Sequence, residues 1–451
     1  MSEIYEMSAI ELADAIQRRQ IGIEELTRTY LERIARYDGP NGLNAVAELN
    51  EDVIAQARKL DSCQDGRAGV FGLPILVKDN IDVAGLHTTA GSLALSDNVA
   101  TRDAPVIANL RRHGALILGK TNMTEFANYT GERMPNGYSS RGGQVRNAYD
   151  PTHDPSGSST GSAVAVSARL CSAALGTDTS FSIVGCATEN GVTGIKPAHG
   201  ALSQDGIVPI AHTLDSAGPI AQSLADALMI YAYMRDEGMN MITPTPAAQL
   251  RIAVNVNGID QISNAQRSRY TAVLDGLCSD GARTANVEQP PVPHMRDIMR
   301  CEFRHDLELY LAGSCASRRT LSDIVEFYEA APDKMMRYGI SYLRAALDSA
   351  SGNLDDAEYL NAMSERKRMR AQLLDELGGF DACLMTGPTN AMHFVGLPSV
   401  ALRMGMGDDG VPRGMILYGA DERRLLSAAL TIERYCPPVS MPALGAVSSD
   451  M

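Results

Sequence analysis

The sequence predicts an α/β fold, because short buried strands alternate with helices along its first half. Residues 73–77 and 115–118 are apolar runs that end in turns, as buried strands do, and residues 106–113 between them have helical spacing. Such alternation is typical of domains in which helices pack on a sheet. With 45% hydrophobic and 21% charged residues among 451, the composition excludes disorder, collagen and coiled coil as the main state.

Two helices are predicted in the first 60 residues, where they would pack on the main body as a cover. Ser8 and Glu11 have the spacing of a capping box, and apolar residues at helical spacing follow them. A second helix is predicted over residues 23–37, because its apolar residues recur on one face from Leu26 to Ile34.

The rest of the chain divides into parts of one domain. A helix led by Pro219 is expected within residues 217–234, and a proline-containing break is expected at 238–248, before a strand at 251–256. The predicted parts are an N-terminal cover (1–60), a core (61–240), a second part of the same domain (241–438) with a helical insertion (300–376), and a tail (439–451).

The net charge of the chain and the distribution of its cysteines indicate which binding partners and which cellular compartment are expected. The chain has 40 basic and 54 acidic residues, a net charge of −14, so no broad basic face for nucleic acid or anionic lipid is expected. Eight cysteines lie scattered without CxxC spacing, which is typical of reduced thiols in a cytoplasmic protein. The first residues lack the pattern of a signal peptide, and no run of about 18 uncharged apolar residues predicts a membrane span.

A loop rich in serine and glycine, residues 155–162, directly precedes a helix predicted over about 162–172. A phosphate-binding Walker loop would need lysine after its second glycine, where Ser162 stands. The loop also fits a nucleophile elbow around Ser159, but the strand that an elbow requires upstream is not predicted. Taken alone, the loop is best interpreted as a helix cap.

Three lysines follow predicted strands: Lys78, Lys120 and Lys196. A lysine that emerges from a buried strand loses solvation, which lowers its pKa and permits a neutral, basic amine. The spacing of the sequence does not choose among the three.

Residues 176–183 place several consecutive backbone N–H groups beside a serine, an arrangement that can hold an oxyanion. None of the eight histidines belongs to an HExxH or HxH motif, so no metal site is predicted. A Ser-His-Asp triad stays open, because its members need not be close in sequence. The acidic pairs at 355–356 and 408–409 are interpreted as helix starts or turns.

Taken together, these segments resemble the amidase signature family, and they are closest in motif to its peptide-amidase branch. The resemblance covers most of the chain and is densest over residues 70–225. The matching stretches are GLPILVKDNIDVAGLHTTAGS (72–92), ILGKTNMTEFA (117–127), DPSGSSTGSAVAVSA (154–168), ALGTDTSFSI (174–183) and GVTGIKPAHGALSQDGIVPIAHTLDSAGPIA (191–221).

This resemblance implies a single α/β/α sandwich domain around a large mixed, twisted sheet, with a Ser-Ser-Lys triad and no metal or other cofactor. Ser182 matches the nucleophile, Lys78 the general base, and Ser158 the bridging serine, which follows a cis peptide bond in the family. Ser159 would support the network. The implied oxyanion hole consists of the backbone N–H groups of Thr179, Ser180, Phe181 and Ser182.

The predicted function is that of an amidase, which would hydrolyse a carboxylic amide to an acid plus ammonia or an amine through a seryl acyl-enzyme. The substrate would be a small-molecule or peptide amide, and a homodimer is the candidate assembly. The first alternative is an amidotransferase A-type subunit, or a catalytically impaired family member that acts as a partner-binding protein. A histidine-dependent esterase at Ser159 is a further alternative.

One departure from the family pattern motivates the impaired alternative. The family generally has glycine immediately before the nucleophile, where Phe181 stands here. If that position requires a positive φ, phenylalanine carries strain there, and its ring would narrow the acyl pocket.

Overall fold

The computed structural model describes residues 3–63, 68–238 and 242–446, and a mixed sheet of eleven strands lies at the centre of this part. The predicted α/β fold with a large mixed sheet is therefore confirmed. The strands are β1 (Val46–Leu49), β2 (Pro74–Lys78), β3 (Leu116–Thr121), β4 (Tyr138–Ser139), β5 (Gly143–Gln144), β6 (Ala173–Asp178), β7 (Thr193–Lys196), β8 (Ser216–Ala221), β9 (Arg251–Asn255), β10 (Arg283–Val287), β11 (Ala382–Met385), β12 (Ser399–Met406) and β13 (Pro412–Tyr418).

The order of strands across the sheet is β1-β3-β2-β6-β8-β7-β12-β13-β11-β9-β10, and β4 and β5 pair separately. Strands β3, β2 and β6 run parallel, and so do β11, β9 and β10. The strands between these two groups pair antiparallel. Strands β2 and β6 are buried along their whole length, which explains why their sequences read as apolar runs.

Helices pack against the sheet. The helices are α1 (Ala9–Gln17), α2 (Ile23–Tyr37), α3 (Val53–Asp61), α4 (Pro105–Arg112), α5 (Thr160–Ser167), α6 (Val184–Glu189), α7 (Leu224–Met234), α8 (Asn264–Ser279), α9 (Met295–Gly313), α10 (Leu321–Ala330), α11 (Pro332–Met335), α12 (Ser341–Ser349), α13 (Ala357–Leu377), α14 (Ala391–Phe394) and α15 (Glu422–Ile432). No helix within the described ranges is long and apolar enough to cross a membrane.

The two N-terminal helices form where the sequence predicts them. The Ser8 hydroxyl accepts from the Glu11 N–H and the Glu11 carboxylate accepts from the Ser8 N–H, so the capping box is complete. Helix α2 has the predicted bounds and buries Leu26, Tyr30 and Ile34 in the common core. Helix α1 packs in the same core through Leu12 and Ile16, and its Ile10 N–H donates to Asp226 near the start of α7.

Two local predictions were wrong. Pro219 does not lead a helix but lies inside β8, opposite Leu175 of β6, and α7 begins later, after the Ser223 N-cap. A proline has no N–H to donate, yet this strand is held from both sides by β6 and β7. Helix α5 is shorter than predicted, because it ends before Arg169, whose φ of 58° is left-handed.

The region with the predicted helical insertion contains α9 to α13, which span residues 295–377. The predicted break at 238–248 includes residues 239–241, which lie outside the described part of the chain, as do residues 447–451 of the predicted tail.

Candidate functional site

The site forms at one edge of the central sheet, where two neighbouring parallel strands end. Lys78 is the last residue of β2, and Asp178 is the last residue of β6. The register pairs Val77 with Leu175, so both strands deliver their final residues to the same place. The carboxyl ends of parallel strands are where α/β proteins build their ligand sites.

The three side chains that the family resemblance implies as a triad meet at this edge. The Lys78 Nζ atom lies 2.8 Å from the Ser158 Oγ atom, and the Ser158 Oγ atom lies 3.1 Å from the Ser182 Oγ atom. Lys78 and Ser158 are fully buried, and Ser182 retains 5% of its accessible surface. The residues are 80 and 24 positions apart in the chain, yet their polar atoms form one continuous hydrogen-bonded line.

Burial lowers the pKa of Lys78 from its ordinary value of 10.5 to about 7, because desolvation disfavours the ammonium form. The side-chain amine also contacts Thr177, whose hydroxyl lies 2.8 Å and whose carbonyl lies 3.3 Å from Nζ. Asn80 donates to the same Thr177 hydroxyl at 3.1 Å. Lys78 is therefore fixed in place while the proton affinity of its amine is reduced.

The serine-rich loop contains a cis peptide bond and packs closely against β6. Gly157 and Ser158 are joined by a cis peptide bond. The Ser159 hydroxyl donates to the Thr177 carbonyl at 3.0 Å, and Ser159 begins α5 as its N-cap. A Cβ atom at Gly176 would lie only 2.7 Å from the Ser159 Oγ atom, so glycine is required there for the close approach. No strand leads into this loop, as the sequence indicates.

The segment 179–182 connects the end of β6 to Ser182 and contains the backbone N–H groups of the predicted oxyanion hole. Within residues 3–63, 68–238 and 242–446, none of its four backbone N–H groups donates a hydrogen bond to the protein. Asp178 anchors the following turn, because its carboxylate accepts from the N–H groups of Ile183 and Val184 at 2.7 and 3.2 Å. Two side chains of the segment 179–182 are held by hydrogen bonds. The Thr179 hydroxyl donates to Asp215 at 2.5 Å, and the Ser180 hydroxyl donates to Asn390 at 2.7 Å.

Phe181 adopts the left-handed conformation, with a φ of 67°, as expected for a position where glycine is usual. Its ring packs edge-on against His393, with ring centroids 4.4 Å apart. The ring lines a cavity of about 460 Å³ that also contains Gln266 and Tyr270, while Ser182 lines a different cavity. The expectation that the phenyl ring narrows the pocket at Ser182 was wrong, because Phe181 is not among the residues that line that pocket.

The cavity at Ser182 has a volume of about 550 Å³ and combines apolar walls with charged groups. Helices α9 and α12 form one wall, so the region of the predicted insertion shapes this cavity. The lining includes Ile210, Met295, Met299, Arg300 and Asn390.

The remaining candidates from the sequence do not join the site. Lys120 donates to the His87 carbonyl at 2.7 Å, and Lys196 donates to the Leu397 carbonyl at 3.0 Å; both are fully buried. All eight histidines lie in the described ranges, and none of them hydrogen-bonds to a serine hydroxyl there. A Ser-His-Asp arrangement at Ser159 is therefore not formed.

Sequence reasoning missed several groups that complete the site. Thr177 and Asp178 directly precede the predicted oxyanion-hole residues, and Asn80 follows Lys78 by two positions. Their proximity in sequence to predicted site residues therefore indicates that they belong to the site. Asn390 and His393 lie more than 200 positions from Ser182, and no local pattern distinguishes them. His393 is fully buried, and desolvation lowers its pKa to about 4, so it is neutral beside Asp178.

Comparison with known proteins identifies the same family from a family model and from related sequences. A model of the family described as Amidase matches residues 25–393. A probable amidase of Arabidopsis thaliana is 31% identical over 466 residues, covering 96% of this chain and 90% of the relative. The A-type subunit of the glutamyl-tRNA(Gln) amidotransferase of Nitratidesulfovibrio vulgaris is 30% identical over 502 residues, covering 98% of this chain and 99% of the relative.

Among solved structures, the native peptide amidase of Stenotrophomonas maltophilia is similar with a TM-score of 0.89 and 31% identity, over 97% of this chain and 99% of that one. An amidase family protein from Bacillus anthracis has a TM-score of 0.89 at 28% identity, over 97% of this chain and 92% of that one. These matches agree with the predicted likeness to the peptide-amidase branch. The chain belongs to the amidase family.

Proposed function

We propose that this protein is an amidase that hydrolyses a carboxylic amide to an acid plus ammonia or an amine. The observation that carries the proposal is the hydrogen-bonded line from Lys78 through Ser158 to Ser182, with separations of 2.8 and 3.1 Å. A serine hydroxyl becomes an effective nucleophile only when a base removes its proton, and this line supplies a base with a lowered pKa.

The first half of the reaction forms an acyl-enzyme. The Ser182 oxygen attacks the amide carbonyl carbon while its proton passes to Ser158, and Ser158 gives its own proton to neutral Lys78. A hydroxyl both donates and accepts, so one serine can pass a proton in either direction. The lysine ammonium then returns a proton through Ser158 to the amide nitrogen, and the C–N bond breaks as ammonia or an amine leaves.

The second half repeats these transfers with water in place of Ser182. Water attacks the acyl carbon, its proton passes along the same line, and Ser182 recovers a proton as the acid leaves. In both halves the carbonyl oxygen becomes an oxyanion. The four backbone N–H groups of residues 179–182 are the proposed donors, since they have no acceptor in the part of the protein that the structure describes.

The substrate proposed here is a C-terminal peptide amide or a small aryl or acyl amide. The cavity of about 550 Å³ at Ser182 is large enough for a group of this size. The similar structure from Stenotrophomonas maltophilia is titled a peptide amidase, which supports the peptide version of the proposal.

A second candidate function is that of an amidotransferase A-type subunit, and the relatives of that name at 30% identity or more favour it. Such a protein would copurify with a tRNA-binding partner, which is the observation to seek for this version. The catalytically impaired version rested on Phe181. It loses support, because the phenyl ring lines a cavity other than that of Ser182.

Ammonia release from a panel of amides tests the proposal with wild type, Ser182→Ala and Ser172→Ala. Ser172 is a matched control, because it is a buried serine whose hydroxyl contacts only Tyr30 among the described residues, at 3.5 Å. We expect Ser182→Ala to lose activity by orders of magnitude and Ser172→Ala to keep it. Labelling with a fluorophosphonate should modify Ser182 stoichiometrically. Equal ammonia release by the two variants, with no labelling, would reject the proposal.

A further inference from the structure

A cluster of metal-ligating side chains lies outside the site described above, between the loop 210–215 and helix α9. The His212 Nδ1 atom lies 2.9 Å from one oxygen of Asp306, and the His305 Nδ1 atom lies 2.8 Å from the other oxygen. All the candidate ligand atoms lie within 4.8 Å of one another. The two separations from Asp306 are hydrogen-bond distances, whereas ligand atoms around a tetrahedral zinc ion, with bonds of about 2.0–2.1 Å, lie about 3.3 Å apart, so the imidazoles would move outward by about half an ångström to admit the metal.

The carboxylate of this cluster is held firmly while the imidazoles can be reached by solvent. Asp306 is buried and accepts from the His212 backbone N–H at 2.7 Å. The side chains of His212 and His305 keep 48% and 37% of their accessible surface. A cation could therefore enter from solvent, and only the two histidine side chains would need to move.

Negative charge surrounds the cluster. The Glu302 carboxylate lies 3.5 Å from the His212 Nδ1 atom and is fully buried, and Asp215 belongs to the same loop as His212. Two guanidinium groups also lie nearby: Arg366 donates to the Thr213 carbonyl at 2.6 Å, and Arg102, which pairs with Asp205 at 2.8 Å, lines the same cavity as His212. Because Asp306, Glu302 and Asp215 bring three carboxylates to this region, a divalent cation would reduce the repulsion among them.

The donor set indicates which metal would bind. Two imidazole nitrogens and one carboxylate suit Zn²⁺, Co²⁺ or Ni²⁺, whereas Mg²⁺ and Ca²⁺ prefer oxygen ligands. A cavity of about 240 Å³ opens beside the cluster and is lined by His212, Asp306 and Asp215. It provides space for the water molecules that would complete the coordination of a site with three protein ligands.

We propose that His212, His305 and Asp306 form a binding site for a divalent transition metal that ties the loop 210–215 to helix α9. Both elements line the cavity at Ser182, the loop through Ile210 and the helix through Met295 and Met299. The metal therefore bridges two walls of that cavity.

The loop also reaches the nucleophile segment through one carboxylate. Asp215 accepts from the Ile210 and Ala211 N–H groups at 2.8 and 3.0 Å and from the Thr179 hydroxyl at 2.5 Å. A cation that fixes His212 against α9 thus also restrains the residues that position Thr179.

Equilibrium dialysis against Zn²⁺, followed by metal analysis of the full-length protein, tests this proposal without any need for amidase activity. The variants are His305→Gln and His212→Gln, and the matched control is His113→Gln. His113 pairs with one carboxylate, Asp236, at 2.8 Å, and no second histidine joins that pair in the described residues. We expect wild type and the control to bind one Zn²⁺ per chain, and both site variants to bind about tenfold more weakly or worse.

Visible absorption of the Co²⁺ form gives a second measurement, and the site variants should lose the spectrum that wild type shows. His305 is more than one third exposed, so His305→Gln keeps the test meaningful if His212→Gln fails to fold. Substoichiometric Zn²⁺ on wild type, or equal affinity for wild type and His305→Gln, would overturn the proposal. An equal loss of Zn²⁺ by His113→Gln would overturn it too.

Discussion

The lowered pKa of Lys78 predicts the pH dependence of the proposed reaction. Only the neutral amine can accept the proton of Ser182, so kcat/KM should rise with pH as Lys78 loses its proton and level off once it is neutral. Burial lowers the pKa of this group from 10.5 to about 7, against the opposing influence of Cys186, Asp178 and Asp215, which act to raise the pKa. The midpoint of the rise should therefore lie near pH 7.

The size of the rise follows from the titration of one group. An amine with a pKa near 7 is about 9% neutral at pH 6 and about 91% neutral at pH 8, so kcat/KM should increase about tenfold between them and little above pH 8. A lysine with its ordinary pKa of 10.5 would give about a hundredfold increase over the same interval and a further tenfold increase by pH 9.

The assay is ammonia release at substrate concentrations well below KM, from pH 5.5 to 9 at constant ionic strength. A second group complicates the interpretation, because burial raises the pKa of Asp215 to about 7. Asp215→Asn separates the two: it removes a negative charge near Lys78, so the midpoint should move to lower pH if Lys78 titrates, and the rise should vanish if Asp215 does. A rate that still climbs tenfold per pH unit at pH 9 would refute the reasoning.

Three further predictions follow from the same contacts. Lys78→Met should raise the free energy of unfolding, because folding of the wild type must either bury the charged amine or remove its proton. The gain in unfolding free energy from removing this cost is about 5 kcal/mol at pH 6 and about 2 kcal/mol at pH 9. Chemical denaturation at both pH values measures it. Thr177→Val removes a hydroxyl that accepts from Lys78, so the midpoint of the kcat/KM profile should fall; an upward shift would contradict this assignment. Phe181→Gly should change the rate of fluorophosphonate labelling at Ser182 by less than about tenfold, since the ring lies in another cavity, whereas a large acceleration would restore the impaired alternative.

The resemblance to the amidase signature family singles out Lys78, Ser158 and Ser182, whereas the spacing of the residues leaves three lysines open. Each of the three residues lies in a short motif near the end of a buried strand or the start of a helix. Such positions are fixed by local structure, and the sheet then brings them together. The walls of the cavity could not be predicted in the same way. Helices α9 and α12 reach it through tertiary packing of the predicted helical insertion, a region in which no local motif indicates the side chains that face the cavity.

The three buried lysines show what a structure adds to such a prediction. Burial lowers the pKa of Lys78, Lys120 and Lys196 alike, so a lowered pKa does not by itself identify a base. What differs is the partner of each amine. Lys196 donates to backbone carbonyls, and Lys120 donates to a carbonyl and to the Thr88 hydroxyl at 3.1 Å, which itself donates to the Ile81 carbonyl. Lys78 instead contacts the Ser158 hydroxyl, which in turn contacts the hydroxyl of Ser182 at a cavity. Lys120→Met and Lys196→Met should therefore leave the midpoint near pH 7 unchanged in variants that fold, and a shift in either would show that the titrating amine is not Lys78.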